Sequence, residues 1–208
     1  MRSRMFRMVA VATLAVVAVA AGLLTSQVSA DDQTAKAVLY NAAGDEIGVV
    51  QFIQQGGSVL VKADNLSFPG ALAPGFKGFH IHSVGICDAA AIDPATGNTV
   101  AFFTAGGHYN PGATTHGSHG GDMPVLQVND DGSAWSRFKT DHYDVSDILG
   151  RAVIVHRDAD NFGNVPVGSG ATQYTANSTG TTNSTATGLT ANTGNAGPRY
   201  ACGVIAGS

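Results

Sequence analysis

Short runs of β-branched and aromatic residues, punctuated by turn residues, set the rhythm of this chain from Lys36 onward. Residues 38–40, 47–52 and 59–61 form the first three runs, with Gly44-Asp45 and Gly56-Gly57 between them. A hairpin is predicted at 125–128, turning through Asn129-Asp130-Asp131-Gly132 into 134–138. Residues 79–82, 152–156 and 201–205 supply further strands, and one helical turn is expected around 145–149. Such a series of short strands predicts an all-β domain, an antiparallel sandwich or barrel. Two connections interrupt it. Segments 83–123 and 157–199 far exceed the usual connection of about 4 to 6 residues, and loops of that length generally carry function or lack fixed structure. The second contains a tract, 168–197, dominated by Gly, Ser, Thr, Asn and Ala and without a charged side chain, which predicts a flexible loop insertion.

The N-terminus departs from this pattern. Arg2, Arg4 and Arg7 precede an apolar run at 8–24, and Val28-Ser29-Ala30 has the small residues of a cleavage site. We read residues 1–30 as a secretory signal peptide, which leaves 31–208 as one domain in a secreted or cell-envelope compartment. The alternative is a retained anchor, for which the run is slightly short of the roughly 20 residues of a span. With the segment cleaved, no stable membrane insertion is expected.

Charge narrows the partners. The chain has 11 Lys and Arg against 15 Asp and Glu, a formal −4 that becomes −7 once the three leading arginines are removed. That balance disfavours nucleic acid and anionic membranes. The two cysteines, Cys87 and Cys202, form an even pair in an exported chain and read as one disulfide, with two buried free thiols as the other reading. Closing so long a loop stabilises by about 4 to 5 kcal/mol on the chain-entropy model. Asn65, Asn177 and Asn183 stand in glycosylation sequons that matter only in a glycosylating host.

Histidine placement supplies the candidate chemistry. His80, His82, His108, His116 and His119 crowd into one stretch that closes with Asp122, and His156 ends a later apolar run. Imidazoles and carboxylates at this density suit a transition metal rather than calcium or magnesium. On a strand, His80 and His82 leave one face while Phe79 and Ile81 leave the other; Ala152, Ile154 and His156 likewise share a face. Three histidines on neighbouring strands can therefore converge on the outer surface of a barrel, where they would form most of a copper coordination sphere. Glycines and Pro111 give the 108–122 loop the reversals needed to fold three histidines and an aspartate around zinc. An HxH pair alone is weak evidence, since two outward histidines are often only solvated, and cupin-like barrels also use one. No glutamate follows His82 at short spacing, however, and a cupin leaves the 116–122 cluster unexplained. His142 reads as an ordinary loop histidine, and Met123 and Trp135 as packing residues.

Gly78-Phe-His-Ile-His82, Gly106-Gly-His-Tyr-Asn-Pro111, Gly121-Asp122, Val155-His156 and Gly194-Asn-Ala-Gly-Pro-Arg-Tyr-Ala-Cys-Gly-Val-Ile205 resemble the copper/zinc superoxide dismutases, in particular the secreted bacterial branch. The resemblance runs from about Lys36 to the C-terminus. It implies a Greek-key antiparallel β-sandwich or flattened barrel with two long functional loops, an architecture shared by this family. It also implies copper held by His80, His82, His108 and His156, and zinc by His108, His116, His119 and Asp122, with His108 shared between them. Asp160 would link His80 to His116. Cys87 and Cys202 match the family disulfide, and Arg199 matches the arginine that guides the substrate anion. The implied reaction turns superoxide into dioxygen and hydrogen peroxide by alternating reduction and oxidation of copper, with His108 taking up a proton, in extracytoplasmic antioxidant defence. A homodimer is compatible with the resemblance. Three features depart from the family pattern: a short interval between His116 and His119, Ser83 in place of an acidic residue after the HxH pair, and a neutral loop before Arg199.

Overall fold

The computed structural model describes residues 33–68, 70, 72–162 and 192–208. Residues 1–30, read above as a signal peptide, most of the 168–197 tract, and Asn177 and Asn183 lie outside the described residues. Among the described residues no helix is long and apolar enough to cross a membrane.

Among the described residues ten strands follow one another: β1 (Thr34–Asn41), β2 (Glu46–Gln55), β3 (Ser58–Ser67), β4 (Gly75–Lys77), β5 (Phe79–His82), β6 (Leu126–Val128), β7 (Ser133–Thr140), β8 (Ala152–His156), β9 (Arg199–Val204) and β10 (Ala206–Gly207). All pairings between them are antiparallel. The spatial order is β4-β6-β7-β3-β2-β1-β9-β8-β5, with β10 beside β1. Its two ends, β4 and β5, are consecutive in the chain and separated only by Gly78. A single segment thus borders both ends of the sheet, and the sheet curls into a nearly closed, flattened barrel of the expected class.

Alternation along the strands builds the interior. Leu39, Phe52, Val61, Phe79, Ile81, Leu126, Val153 and Val155 are all fully buried in one cluster. Each such side chain contributes about 1.5 to 3 kcal/mol of transfer free energy. The expected helical turn is present as α1 (Val145–Ile148), pinned to the barrel by Gln54, whose Oε1 accepts from the Val145 amide at 2.8 Å. A smaller cluster lies on the outer face of β8 and β9: Ala152, Ile154 and Cys202 pack with Phe102 and Ala105 from the long first loop. The Cys87–Cys202 disulfide ties that loop to β9 at this cluster, with a Cα–Cα distance of 5.6 Å.

Candidate metal centre

Strand parity places the first two histidines. Phe79 and Ile81 enter the core and β5 pairs with β8, setting His80 opposite Ile154 and His82 opposite Ala152 on the outer face. Outward does not mean solvated here. His80 and His82 are 0% and 1% exposed, because the loop returns along the edge of β5 that β8 leaves free. The Tyr109 amide donates to Ile81 O at 2.8 Å, and the Ile81 amide donates to Gly121 O at 2.8 Å. These contacts bring His108 beside His82 and Asp122 beside His80 as isolated antiparallel bridges. The expected outer-surface site is therefore a roofed one, built by backbone pairing between the 108–122 loop and β5.

Backbone carbonyls select the ring nitrogens. His82 Nδ1 lies 2.8 Å from Gly106 O and His156 Nδ1 lies 3.0 Å from Gly197 O. A carbonyl only accepts, so in both rings Nδ1 carries the proton and Nε2 keeps its lone pair. Those two Nε2 atoms face each other at 3.4 Å in a buried site. His80 turns the other way: Nε2 meets both carboxylate oxygens of Asp160 at 3.0 Å, and Nδ1 is buried without a hydrogen-bond partner. One donor atom each from His80, His82, His108 and His156 lies within 4.8 Å of the others. Opposed lone pairs and an unpartnered buried nitrogen are costly unless a cation lies among them.

A second group adjoins the first through His108. His108 Nδ1 is 3.0 Å from Asp122 Oδ1 and 3.3 Å from His119 Nδ1. His119 Nδ1 is 3.2 Å from Asp122 Oδ1, and His116 Nδ1 is 3.4 Å from Asp122 Oδ2. Tetrahedral ligands about 2.0–2.1 Å from zinc are about 3.3 Å apart, so these spacings fit a zinc-sized ion. The quartet whose donor atoms all lie within 4.8 Å of one another contains His80 with His108, His116 and Asp122, where the sequence reading has His119. His80 Nε2 is engaged by Asp160, and His119 Nδ1 stands 3.3 Å from His108 Nδ1 and 3.2 Å from Asp122 Oδ1.

Electrostatics favour neutral imidazoles. Burial, reinforced by neighbouring rings, holds His80 and His82 well below the usual imidazole range. Burial also pushes His156 down to about 3, against the opposing hydrogen bond that its ring donates to Gly197 O. His108 is lowered by burial too, with Asp122 opposing. Burial acts to raise Asp122, but its hydrogen bonds to His108 and His116 win and hold it well below the carboxylate range. Asp160 is pushed up to about 7, chiefly by burial. It spans His80 at 3.0 Å and His116 Nε2 at 3.6 Å.

Arg199 opens β9 and pairs across the strands with His156. Its guanidinium donates to Phe102 O and Gly106 O. Gly106 O is also the acceptor for His82 Nδ1, so the cation lies one carbonyl away from a histidine of the first donor set. Burial pulls Arg199 down to about 10, which leaves it charged near neutrality. The carbonyls of Gly106 and Gly197 are the functional groups the sequence reading missed. Main-chain acceptors have no side-chain signature; the glycines flanking His108 and Pro198 are the nearest hint.

Comparison with known proteins agrees with this chemistry. The family model described as copper/zinc superoxide dismutase (SODC) matches residues 46–205. A superoxide dismutase [Cu-Zn] of Mycolicibacterium paratuberculosis is 38% identical over 167 residues, covering 78% of this chain and 69% of the relative. One of Mycobacterium tuberculosis is 42% identical over 139 residues, covering 65% of this chain and 55% of the relative. One of Deinococcus radiodurans is 34% identical over 110 residues, covering 47% and 59%. Against the last two, the aligned part spans less than two thirds of the relative's length. Among solved structures, the clock protein EA4 superposes with a TM-score of 0.57 at 28% identity, covering 85% of this chain and 95% of its own. A family match over most of the chain, on a barrel that presents two adjoining nitrogen-rich donor sets, shows that this chain belongs to the copper/zinc superoxide dismutases.

Proposed function

We propose that this protein dismutates superoxide, two superoxide anions and two protons giving one dioxygen and one hydrogen peroxide. In this reading copper is held by His80, His82, His108 and His156, and zinc by His108, His116, His119 and Asp122. The observation that carries it is the facing pair of His82 and His156 Nε2 atoms, one carbonyl removed from the charged Arg199. When bound, copper supplies the alternating one-electron oxidation and reduction, and zinc a redox-silent charge beside it.

The chain's own residues do the rest. Arg199 is fixed by two carbonyls before the substrate arrives, so little reorganisation accompanies capture of the anion. Gly106 O and Gly197 O set the tautomers of His82 and His156, and Asp160 sets that of His80. In this reading His108, shared by the copper and zinc sets, holds a proton at its copper-facing nitrogen for the peroxide product. We also place the protein outside the cytoplasm, on the strength of its disulfide and its leader-like N-terminus.

Metal analysis of the purified chain beside a superoxide-decay assay tests this reading. We expect copper and zinc on the protein and cyanide-sensitive decay. A fully copper-loaded protein without activity would leave a metal-buffering module as the better reading.

A further inference from the structure

His116 is the most enclosed ring of the zinc-side group. It follows Thr114-Thr115 on a loop and is separated from His119 by only Gly117-Ser118, yet its side chain is 0% exposed. Each side of the ring has a wall. Nδ1 meets Asp122 at 3.4 Å, Nε2 meets Asp160 at 3.6 Å, and the rings of His80 and His108 stand edge-on at 5.4 Å. At Gly194 a Cβ would collide with His116 Nε2, and the residue has φ +59°, so only glycine fits there. The His119 ring stands edge-on at 5.6 Å, and among the described residues a further wall is Phe162, stacked on the imidazole with centroids 5.8 Å apart and planes 14° from parallel. Phe162 is 52% exposed, whereas Gly194 and Asp160 are buried. The aromatic ring is thus the face of this enclosure that looks onto solvent. The Asn161 amide, next to Phe162 in the chain, donates to Gly194 O at 2.8 Å and ties the Phe162 wall to the Gly194 wall.

We infer that Phe162 is a positioning residue for the zinc-side ion: it fixes the plane of His116 and closes the route by which water or a competing ligand reaches that ring. The inference rests on the proposed zinc site. An interval of two residues between His116 and His119 gives the loop little means of orienting the ring itself, and a flat, rigid neighbour supplies the missing constraint. A large aromatic left half exposed in this place is thereby explained by what its inner face covers.

The test follows release of zinc from the copper- and zinc-loaded full chain to a chromogenic chelator. Initial zinc stoichiometry and the copper electron-paramagnetic-resonance spectrum are recorded beside it. Phe162→Ala should start with the wild-type zinc content and release it about 10- to 100-fold faster, the scale on which groups supporting a metal ligand act. Phe162→Tyr should release at the wild-type rate, and the copper spectrum should be unchanged in both. Release from Phe162→Ala at the wild-type rate overturns the inference, as does equally fast release from Phe162→Tyr. If Phe162→Ala fails to fold, Phe162→Leu decides: it keeps the bulk without the flat face, and wild-type release from it overturns the inference. A wild-type chain that takes up copper but no zinc sinks the zinc assignment instead, a result separable from the release kinetics.

Discussion

Every histidine assigned to copper is held neutral by burial, and that places a pH dependence on the metal-stripped protein. In the folded state His156 keeps its lone pair down to about pH 3, whereas the unfolded chain takes up that proton near 6.5. Between those values the unfolded state binds more protons, so stability falls as pH falls. The loss is about 1.4 kcal/mol per pH unit for each such histidine. Asp160, pushed up to about 7, acts in the opposite sense over the same window, but four lowered rings outnumber it. Urea titration of stripped protein should therefore show a lower midpoint at pH 5 than at pH 7; a higher midpoint at pH 5 would mean the rings are not held neutral. His156→Ala should abolish copper-dependent dismutation and leave a folded barrel by circular dichroism, since its outer-face position removes no core side chain. Retained activity in that variant would displace His156 from the copper set.

At the scale of elements, the two adjoining strands at Gly78 matter most. A Cβ there would stand 2.5 Å from the Ala196 Cβ and 2.9 Å from both Asp160 Oδ1 and His80 Cε1. Gly78→Ala should thus displace His80 and Asp160 together. We expect copper affinity to fall by about 10- to 100-fold, as for other disturbances of groups that orient a ligand, with a smaller loss of thermal stability; competition with a chelator of known affinity measures the first. The strands were legible in the sequence because β-branched alternation is local, and parity put Phe79 and Ile81 inward and His80 and His82 outward. The roof over the histidines was not. Pairing of Tyr109 and Gly121 with Ile81 depends on where the loop returns, a tertiary fact to which side-chain pattern is blind. The same blindness hid Phe162, whose sequence position beside a polar tract carries no sign that it covers His116.

For the molecule as a whole, a formal charge of −4 opposes an anionic substrate, so attraction has to be local. Arg199→Ala should lower the rate and flatten its dependence on ionic strength, whereas Arg199→Lys should keep much of the salt dependence while losing the fixed two-carbonyl geometry. A salt profile unchanged in the alanine variant would assign steering to another cation. That the clustered histidines and Asp122 would be brought together was readable from type and spacing, because imidazole and carboxylate chemistry is written in the side chains. Their proposed division between two ions was less so: by proximity alone His80 groups with His108, His116 and Asp122 where the sequence has His119, and His80 is also bonded to Asp160.

One carbonyl oxygen limits how this protein can be re-engineered. Gly106 O receives both the His82 ring and the Arg199 guanidinium. Re-aiming the arginine to admit a larger anion would shift the acceptor that sets the tautomer and tilt of His82, so anion selectivity and redox behaviour should drift together in any variant library built around this loop.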